Sequence, residues 1–304
     1  MRVSLLVSTY NGEQYIIEQL NSLNRQSYQL DEVVIIDDCS KDRTVALIES
    51  YIINNNLQER WRLEKNTKNK GWKNNFYEGV SKTTGDIVFF CDQDDIWMDN
   101  KVEYTLSAFS NSSVNVVATK ETIWDGKKSE RVECPVKSTE NDSNRITLKD
   151  KFFIECSGCT MAFRRSFFED IKPYYVSGMA HDDFLWKFGL ADESLVLLSH
   201  STILHRIHGK NESRKKRSYS QSLEVFDYQI QAISSLQRFI EENKEDYQEI
   251  INRLKHKCRG YERRKLFYKT KNPLYFFELV IRYTDIYTRK RQLIGDMVLV
   301  YGRR

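Results

Sequence analysis

The chain has 304 residues, 40% hydrophobic and 30% charged, which supplies a real core and excludes wholesale disorder. Its net charge of +4 hides an asymmetry: residues 1–204 hold 24 Lys and Arg against 31 Asp and Glu, and residues 205–304 hold 23 against 12. A mildly acidic front and a strongly basic tail imply two functional parts, the tail suited to an anionic surface.

Val3 to Ser8 is an apolar run ending in Thr9-Tyr10-Asn11-Gly12, which predicts a buried strand entering a turn. Glu13 to Leu23 has helical spacing, Glu32 to Ile36 is a second strand closed by Asp37-Asp38, and Asp42 to Ile53 is helical. Trp61 to Leu63 is a short strand, Lys73 to Val80 a helix, and Asp86 to Phe90 a strand running into Cys91-Asp92-Gln93-Asp94-Asp95. Lys101 to Phe109 is helical, Val114 to Ala118 a strand, and Ser129 to Arg145 a polar loop. Cys156 to Arg164 reads as a strand, followed by helices from Arg165 to Ile171 and from Asp182 to Leu190. Leu195 to Leu198 is apolar, and Ile203 to Asn211 carries two histidines in what its glycine marks as a loop. Beyond residue 214 strand signals vanish: Leu223–Phe239 and Tyr247–Tyr268 are amphipathic helices, and Tyr275–Tyr287 is an aromatic-rich helix flanked by cations.

Strands alternating with helices predict an α/β fold with a mostly parallel sheet, flanked by helices and followed by a helical basic extension. In such sheets ligands bind beyond the carboxyl ends of the strands. Thr9, Asp37-Asp38 and Asp92–Asp95 all stand at such ends, so they are expected to converge on one edge.

An apolar strand that ends in three carboxylates within four residues needs a reason, because like charges repel and burial raises the cost. A hard divalent cation, Mg²⁺ or Mn²⁺, bridging carboxylate and substrate phosphate supplies one. The plainer alternative is that Asp95 or Asp99 caps the helix from about Lys101, but a cap needs only one carboxylate.

Several segments in order carry a resemblance. Ser8-Thr9-Tyr10-Asn11-Gly12-Glu13 is similar to the opening of family-2 glycosyltransferases of the GT-A fold. Ile36-Asp37-Asp38-Cys39-Ser40-Lys41-Asp42-Arg43-Thr44 resembles their next motif, in which Gly is commoner at the position of Cys39. Asn69-Lys70-Gly71 with Asn74-Asn75-Phe76, and Gly85-Asp86 leading to Asp92-Gln93-Asp94-Asp95-Ile96-Trp97, continue the pattern. That last wording is similar to a bacterial rhamnosyltransferase-like branch. Ser157-Gly158-Cys159-Thr160, His181-Asp182 and Leu204 to Asn211 complete the set, which covers about residues 1–212 as a catalytic domain and leaves 213–304 as the basic extension.

The resemblance implies an inverting, metal-dependent transfer of a sugar from a nucleotide-sugar, dTDP-rhamnose or a UDP-hexose, to a glycan or lipid-linked glycan acceptor. It implies nucleotide-sugar contacts at Thr9, Asn11, Glu13, Asp38, Lys73, Asp92 and Arg206, with Asp38 reading the base. It implies metal ligation by Asp94, Asp92 and His208. It makes Asp182 the catalytic base, with Asp183 the runner-up because the pair departs from the bulkier aromatics commoner there.

Other features have plainer readings beside them. Trp97 and Trp186 suit either a sugar face or the core. His205 and His208 are three apart, and at most one is expected to be a ligand. Lys73 suits a phosphate or a solvated helix face. Cys156 and Cys159 have the spacing of half a zinc site without a second pair, which favours reduced thiols, and the six cysteines form no disulfide framework.

The basic run Arg214-Lys215-Lys216-Arg217, with Tyr275, Phe276, Phe277, Tyr283 and Tyr287 beside Lys271, Arg282, Arg289, Lys290 and Arg291, favours a membrane surface over nucleic acid. With no signal peptide or spanning segment legible, the expected address is cytoplasmic, peripheral on the inner face of the cell membrane. Two competing functions are a phosphatase-like Asp-x-Asp hydrolase, which wants its nucleophile on the first strand, and a non-catalytic sugar-nucleotide or anionic-surface binding protein. A nicotinamide enzyme is disfavoured because no Gly-x-Gly-x-x-Gly follows a strand.

Overall fold

Three runs of β-branched and aromatic residues, Val3–Thr9 (β1), Glu32–Asp37 (β2) and Ile87–Asp92 (β4), are buried along almost their whole length, as strands covered on both faces must be. The structure is a computed structural model that describes residues 1–126, 135, 137–209, 217–245 and 247–302. Cys134, most of the Arg214–Arg217 run and part of the 129–145 loop lie outside the described residues. The chain divides into two compact units, residues 1–172 with 180–209, and residues 173–179 with 210–304.

In the first unit β1 is followed by α1 (Ile16–Asn24), β2 by α2 (Thr44–Asn54), and β3 (Trp61–Lys65) by α3 (Trp72–Gly79) before β4. Then come β5 (Ile96–Trp97), α4 (Lys101–Ala108), β6 (Val116–Trp124), β7 (Ser143–Ile146), β8 (Met161–Arg164), α5 (Arg165–Ile171), α6 (His181–Ala191) and β9 (Leu195–Arg206). The sheet runs β3-β2-β1-β4-β8-β6-β9-β5, with β7 also on β9. The block β3-β2-β1-β4 is parallel throughout, and β6 lies parallel to β9. Strand β8 is antiparallel to both β4 and β6. Most paired positions are parallel, and the α/β sheet read from the sequence is present.

The register sets the site. Thr9 pairs with Asp37 across β1 and β2, and Ser8 pairs with Asp92 across β1 and β4. The carboxyl ends of the three central strands are therefore side by side.

The second unit contains α7 (Tyr219–Asn243), α8 (Gln248–Thr270), α9 (Pro273–Arg282) and α10 (Arg291–Tyr301). A capping box starts α7: Ser218 Oγ accepts from Gln221 N, and Gln221 Oε1 accepts from Ser218 N. Asn272 caps α9, with Pro273 at its first position. A buried Asp296 fastens α10 to α8 by accepting from Arg264, Tyr268 and Tyr287 at 2.7–2.8 Å. No helix among the described residues is long and apolar enough to cross a membrane.

Several expectations are corrected. Only Met161–Arg164 of the 156–164 segment is strand; Gly158–Thr160 form a single 3-10 turn that brings Gly158 under α6. His205 lies in the twelve-residue strand β9 rather than in a loop, whereas His208 follows the strand in irregular chain as expected. Trp97 and Trp186 are buried core aromatics, not platforms for a sugar. The Tyr275–Tyr287 helix stops at Arg282, and Tyr283 and Tyr287 turn inward. Helix α10 has no counterpart in the sequence reading.

Candidate functional site

The turn after β1 is built by tight backbone geometry. Asn11 adopts φ 48°, and a Cβ on Gly12 would meet Gln93 Oε1 at 2.2 Å. That close approach lets Gln93 arch over the turn, accepting from Tyr10 N (2.8 Å) and donating to Tyr10 O (3.0 Å). Gln93 of the acidic segment thus ties the ends of β1 and β4 together. Cys39 has φ 70°, in the left-handed region that favours glycine, so the departure from the commoner Gly is a residue held where Gly is at ease.

At the corner between the ends of β1 and β2 Thr9 is buried and donates to Asp37 Oδ1 at 3.1 Å. Asp38 Oδ1 accepts from Asn66 Nδ2 and Lys70 N at 2.9 Å, and Oδ2 from Gly71 N at 2.8 Å. Asp38 therefore fixes the 66–71 loop beside the strand ends. Asn11 and Glu13 brace the next loop: Asn11 Oδ1 accepts from Lys41 N (2.8 Å), and Glu13 Oε2 accepts from Arg43 N and Nε (3.1 Å). Lys73 stands in the first turn of α3, its Nζ 5.8 Å from the Trp72 ring centroid.

At the acidic corner His208 Nε2 lies 2.7 Å from Asp94 Oδ2, with the His208 ring stacked on Tyr15 at 4.8 Å. Arg206 clasps the same turn: its N–H donates to Asp95 Oδ1 (3.0 Å) and its Nε to the Asp94 carbonyl (2.9 Å). Its guanidinium is paired with Glu18 and sandwiched between Tyr15 and Trp124, 4.9 and 4.3 Å from their centroids. The side chain is thus spent on holding the Asp94-Asp95 turn. Tyr15, Glu18 and Trp124 were missed at the sequence level because they come from a helix and a strand with no motif around them.

Asp95 caps no helix. It is buried, followed by β5, and α4 begins at Lys101 without a side-chain cap. His205 Nδ1 lies 3.0 Å from Asp95 Oδ1, and that contact raises the imidazole to about 9. Asp95, Cys159 and His205 have ligand atoms within 4.8 Å of one another. His205 and Asp95 of that trio form an ion pair beside the Cys159 thiol. Cys156 is likewise a thiol, pushed up to about 12 by burial.

Burial, then the charges of Asp95 and Asp94, push Asp92 well above the usual carboxylate range. Burial and Asp95 raise Asp94 as well. Three carboxylates at mutual cost, a buried Asp95 Oδ2 without a hydrogen-bond partner among the described residues and an imidazole on Asp94 form a hard-donor set that fits a divalent cation.

The first turn of α6 brings the third component. Asp182 is raised to about 6, first by burial and then by Asp183, and its charge is felt at Asp92. Asp183 is paired with Lys187, which is 1% exposed. His181 is packed against Phe76 (4.0 Å), Phe90 (4.5 Å) and Trp72 (5.7 Å). Burial drives it down to about 3, so it is a neutral imidazole that wedges α6 in place. Gly158 makes this fit possible: a Cβ there would lie 2.5 Å from His181 Nε2 and 3.1 Å from Asp182 Cβ. Gly158→Ala is expected to displace the start of α6 and to cost about 1–3 kcal/mol of stability through overpacking. Thermal unfolding would check this, and an unchanged midpoint would contradict it.

These strands and carboxylates belong to a sugar-transferring class of α/β protein. The model of glycosyl transferase family 2 matches residues 4–172, and the chain belongs to that family. The chain is 27% identical over 230 residues to the dTDP-rhamnosyl transferase RfbG of Shigella flexneri, covering 68% of this chain and 73% of that one. It is 40% identical over 97 residues to the poly(ribitol-phosphate) β-N-acetylglucosaminyltransferase TarS of Staphylococcus aureus. That stretch is 31% of this chain and 16% of the relative, so the chain matches only about a sixth of that protein's length. The crystal structure of S. aureus TarS 1-349 with UDP-GlcNAc has a TM-score of 0.66 at 18% identity, covering 99% of this chain and 82% of that one. The mannosyltransferase PcManGT of Pyrobaculum calidifontis, solved with GDP-Man and Mn²⁺, has a TM-score of 0.59 at 15% identity, covering 100% and 88%. The fold is the GT-A fold of these neighbours.

Proposed function

We propose that the chain is an inverting, metal-dependent glycosyltransferase. It moves a sugar from a pyrimidine-nucleotide donor, dTDP-rhamnose or a UDP-hexose, to a hydroxyl of a bacterial surface glycan. The observation that carries this reading is the convergence of three chemically distinct groups at one sheet edge. They are the Asp38 corner, the Asp94–His208 pair and the elevated Asp182. The UDP-GlcNAc of the TarS structure and the dTDP-rhamnosyl donor in the name of RfbG support the pyrimidine nucleotide, and the poly(ribitol-phosphate) in the name of TarS supports a bacterial surface polymer as acceptor.

Asp94, Asp92 and His208 are the residues that would hold a Mg²⁺ or Mn²⁺ ion. When bound, such an ion offsets the charge that grows on the leaving diphosphate. Thr9, Asp38, Asn11 and Glu13 fix the loops that would enclose the nucleoside, and Arg206 keeps the Asp94 turn in place. Lys73 in the first turn of α3 is the candidate phosphate contact. Asp182 takes the proton of the acceptor hydroxyl. The freed oxygen bonds to the anomeric carbon from the face opposite the nucleotide, the bond to the diphosphate oxygen breaks, and the configuration inverts. A carboxylate poised near 6 is matched to that task at neutral pH.

A binding-only role predicts no turnover. The test is release of nucleoside diphosphate from a panel of UDP-, dTDP- and GDP-sugars with Mg²⁺ and Mn²⁺, with and without glycan acceptors. Release from one pyrimidine-nucleotide sugar, stimulated by acceptor, is expected. Binding without release from any donor favours the non-catalytic reading. We place the reaction in the cytoplasm, where nucleotide-sugars are the donors and a lipid-linked acceptor lies at the inner face of the membrane.

A further inference from the structure

Helix α9 is apolar on two opposite sides. Leu279 is buried, and the opposite arc carries Leu274, Phe277, Val280 and Ile281, with Leu274 70% and Ile281 78% exposed. Helix α10 repeats the pattern: Asp296 and Val300 face inward, while Ile294 (68%), Val298 (63%) and Met297 face out. Tyr301 donates to the Lys271 carbonyl at 2.6 Å, so the end of α10 meets the link between α8 and α9. Side chains of this size repeated along one face of successive helices are not the scattered apolar residues of an ordinary surface.

The charges are sorted in the same way. Each described acid of this stretch is turned to α8: Glu278 to Arg263 (3.4 Å), Asp285 to Lys257 (2.9 Å) and Asp296 to Arg264 (2.7 Å). Lys271, Arg282, Arg289, Lys290 and Arg291 are all exposed around the apolar faces. A second copy of the chain would bring like charges together. An anionic bilayer meets both features, taking the apolar side chains at its headgroup boundary and the cations at its phosphates. The inward turn of Tyr283 and Tyr287 means that aliphatic side chains and Phe277, not those tyrosines, form the contact.

We infer that the outward faces of α9 and α10, with Lys271, Arg282 and Arg289 to Arg291, form a docking surface for anionic phospholipid. This deepens the membrane-side reading above but is independent of sugar transfer. The test is flotation of the full chain with phosphatidylcholine vesicles lacking or containing phosphatidylglycerol, with donor hydrolysis measured on the same preparations. Flotation is expected only with phosphatidylglycerol and is expected to weaken with salt. Ile281→Asp and Val298→Asp should each reduce partitioning about tenfold, since each removes an exposed aliphatic side chain that the bilayer would bury. Replacing Arg289 or Lys290 by Gln should reduce it about fivefold. These are exposed positions, so donor hydrolysis should persist; if a variant fails to fold, the salt and lipid series on the unaltered chain decides. Chain that stays in the soluble fraction with anionic vesicles overturns the inference. So does a dimer that the same substitutions dissolve without any vesicle binding. Failure of flotation with intact hydrolysis removes the docking surface alone.

Discussion

Asp182→Asn is expected to keep nucleotide-sugar binding and to lower transfer about a hundred- to ten-thousandfold, the usual contribution of a positioned general base. The carboxylate lies at the start of α6, elevated to about 6 by burial and by its neighbour Asp183. Only the deprotonated form accepts the acceptor proton. In the unaltered chain transfer should therefore be constant above that value and fall about tenfold per pH unit below it, a limb that Asp182→Asn should abolish. Asp183→Asn is expected to behave differently. It breaks the ion pair that the buried Lys187 makes with residue 183, which costs about 3 kcal/mol of stability. Kinetics and thermal unfolding of the two variants separate the roles. A lost limb and intact fold in Asp183→Asn would move the base to that residue.

Asp94→Ala is expected to lower kcat/KM for transfer at least about a hundredfold and to remove its dependence on divalent cation. The same substitution should leave unfolding in chelator unchanged or slightly more resistant to heat. Asp92 and Asp94 are held above their ordinary range by burial and by like charges, so removing one relieves a cost that the fold bears for function. His208→Ala should fall less far, about ten- to a hundredfold, because the carboxylate stays. Asp94→Ala with unaltered cation dependence would show that the ion sits elsewhere.

Much of the first unit was legible because its strands are buried on both faces and therefore spell continuous apolar runs. The rule that ligands gather at carboxyl ends then placed Asp37-Asp38 beside Asp92 from the sequence alone. What was hidden was pairing over long separation. Ile96-Trp97 is too short to read as a strand, yet its pairing with Ile203-Leu204 brings β9 to the acidic turn. Asp95 looked like a helix cap because a helix follows; its true partners, Arg206 and His205, are about 110 residues away. The resemblance made Arg206 a nucleotide-sugar contact, and nothing in its own segment disclosed its partners Glu18, Tyr15 and Trp124. The outward faces of α9 and α10 were illegible for a related reason. A helix apolar on two sides has a weak period, and the aromatic residues that dominated the composition point into the unit.

The edge formed by Asp38, Asp94 and His208 is proposed to bind a nucleoside diphosphate with a cation. Calorimetric titration of UDP and dTDP into the chain with Mn²⁺, and again after chelation, decides it. Saturable binding of at least one of them that weakens about tenfold or more on chelation is predicted. No heat from either nucleotide, or equal affinity with and without the cation, would contradict it.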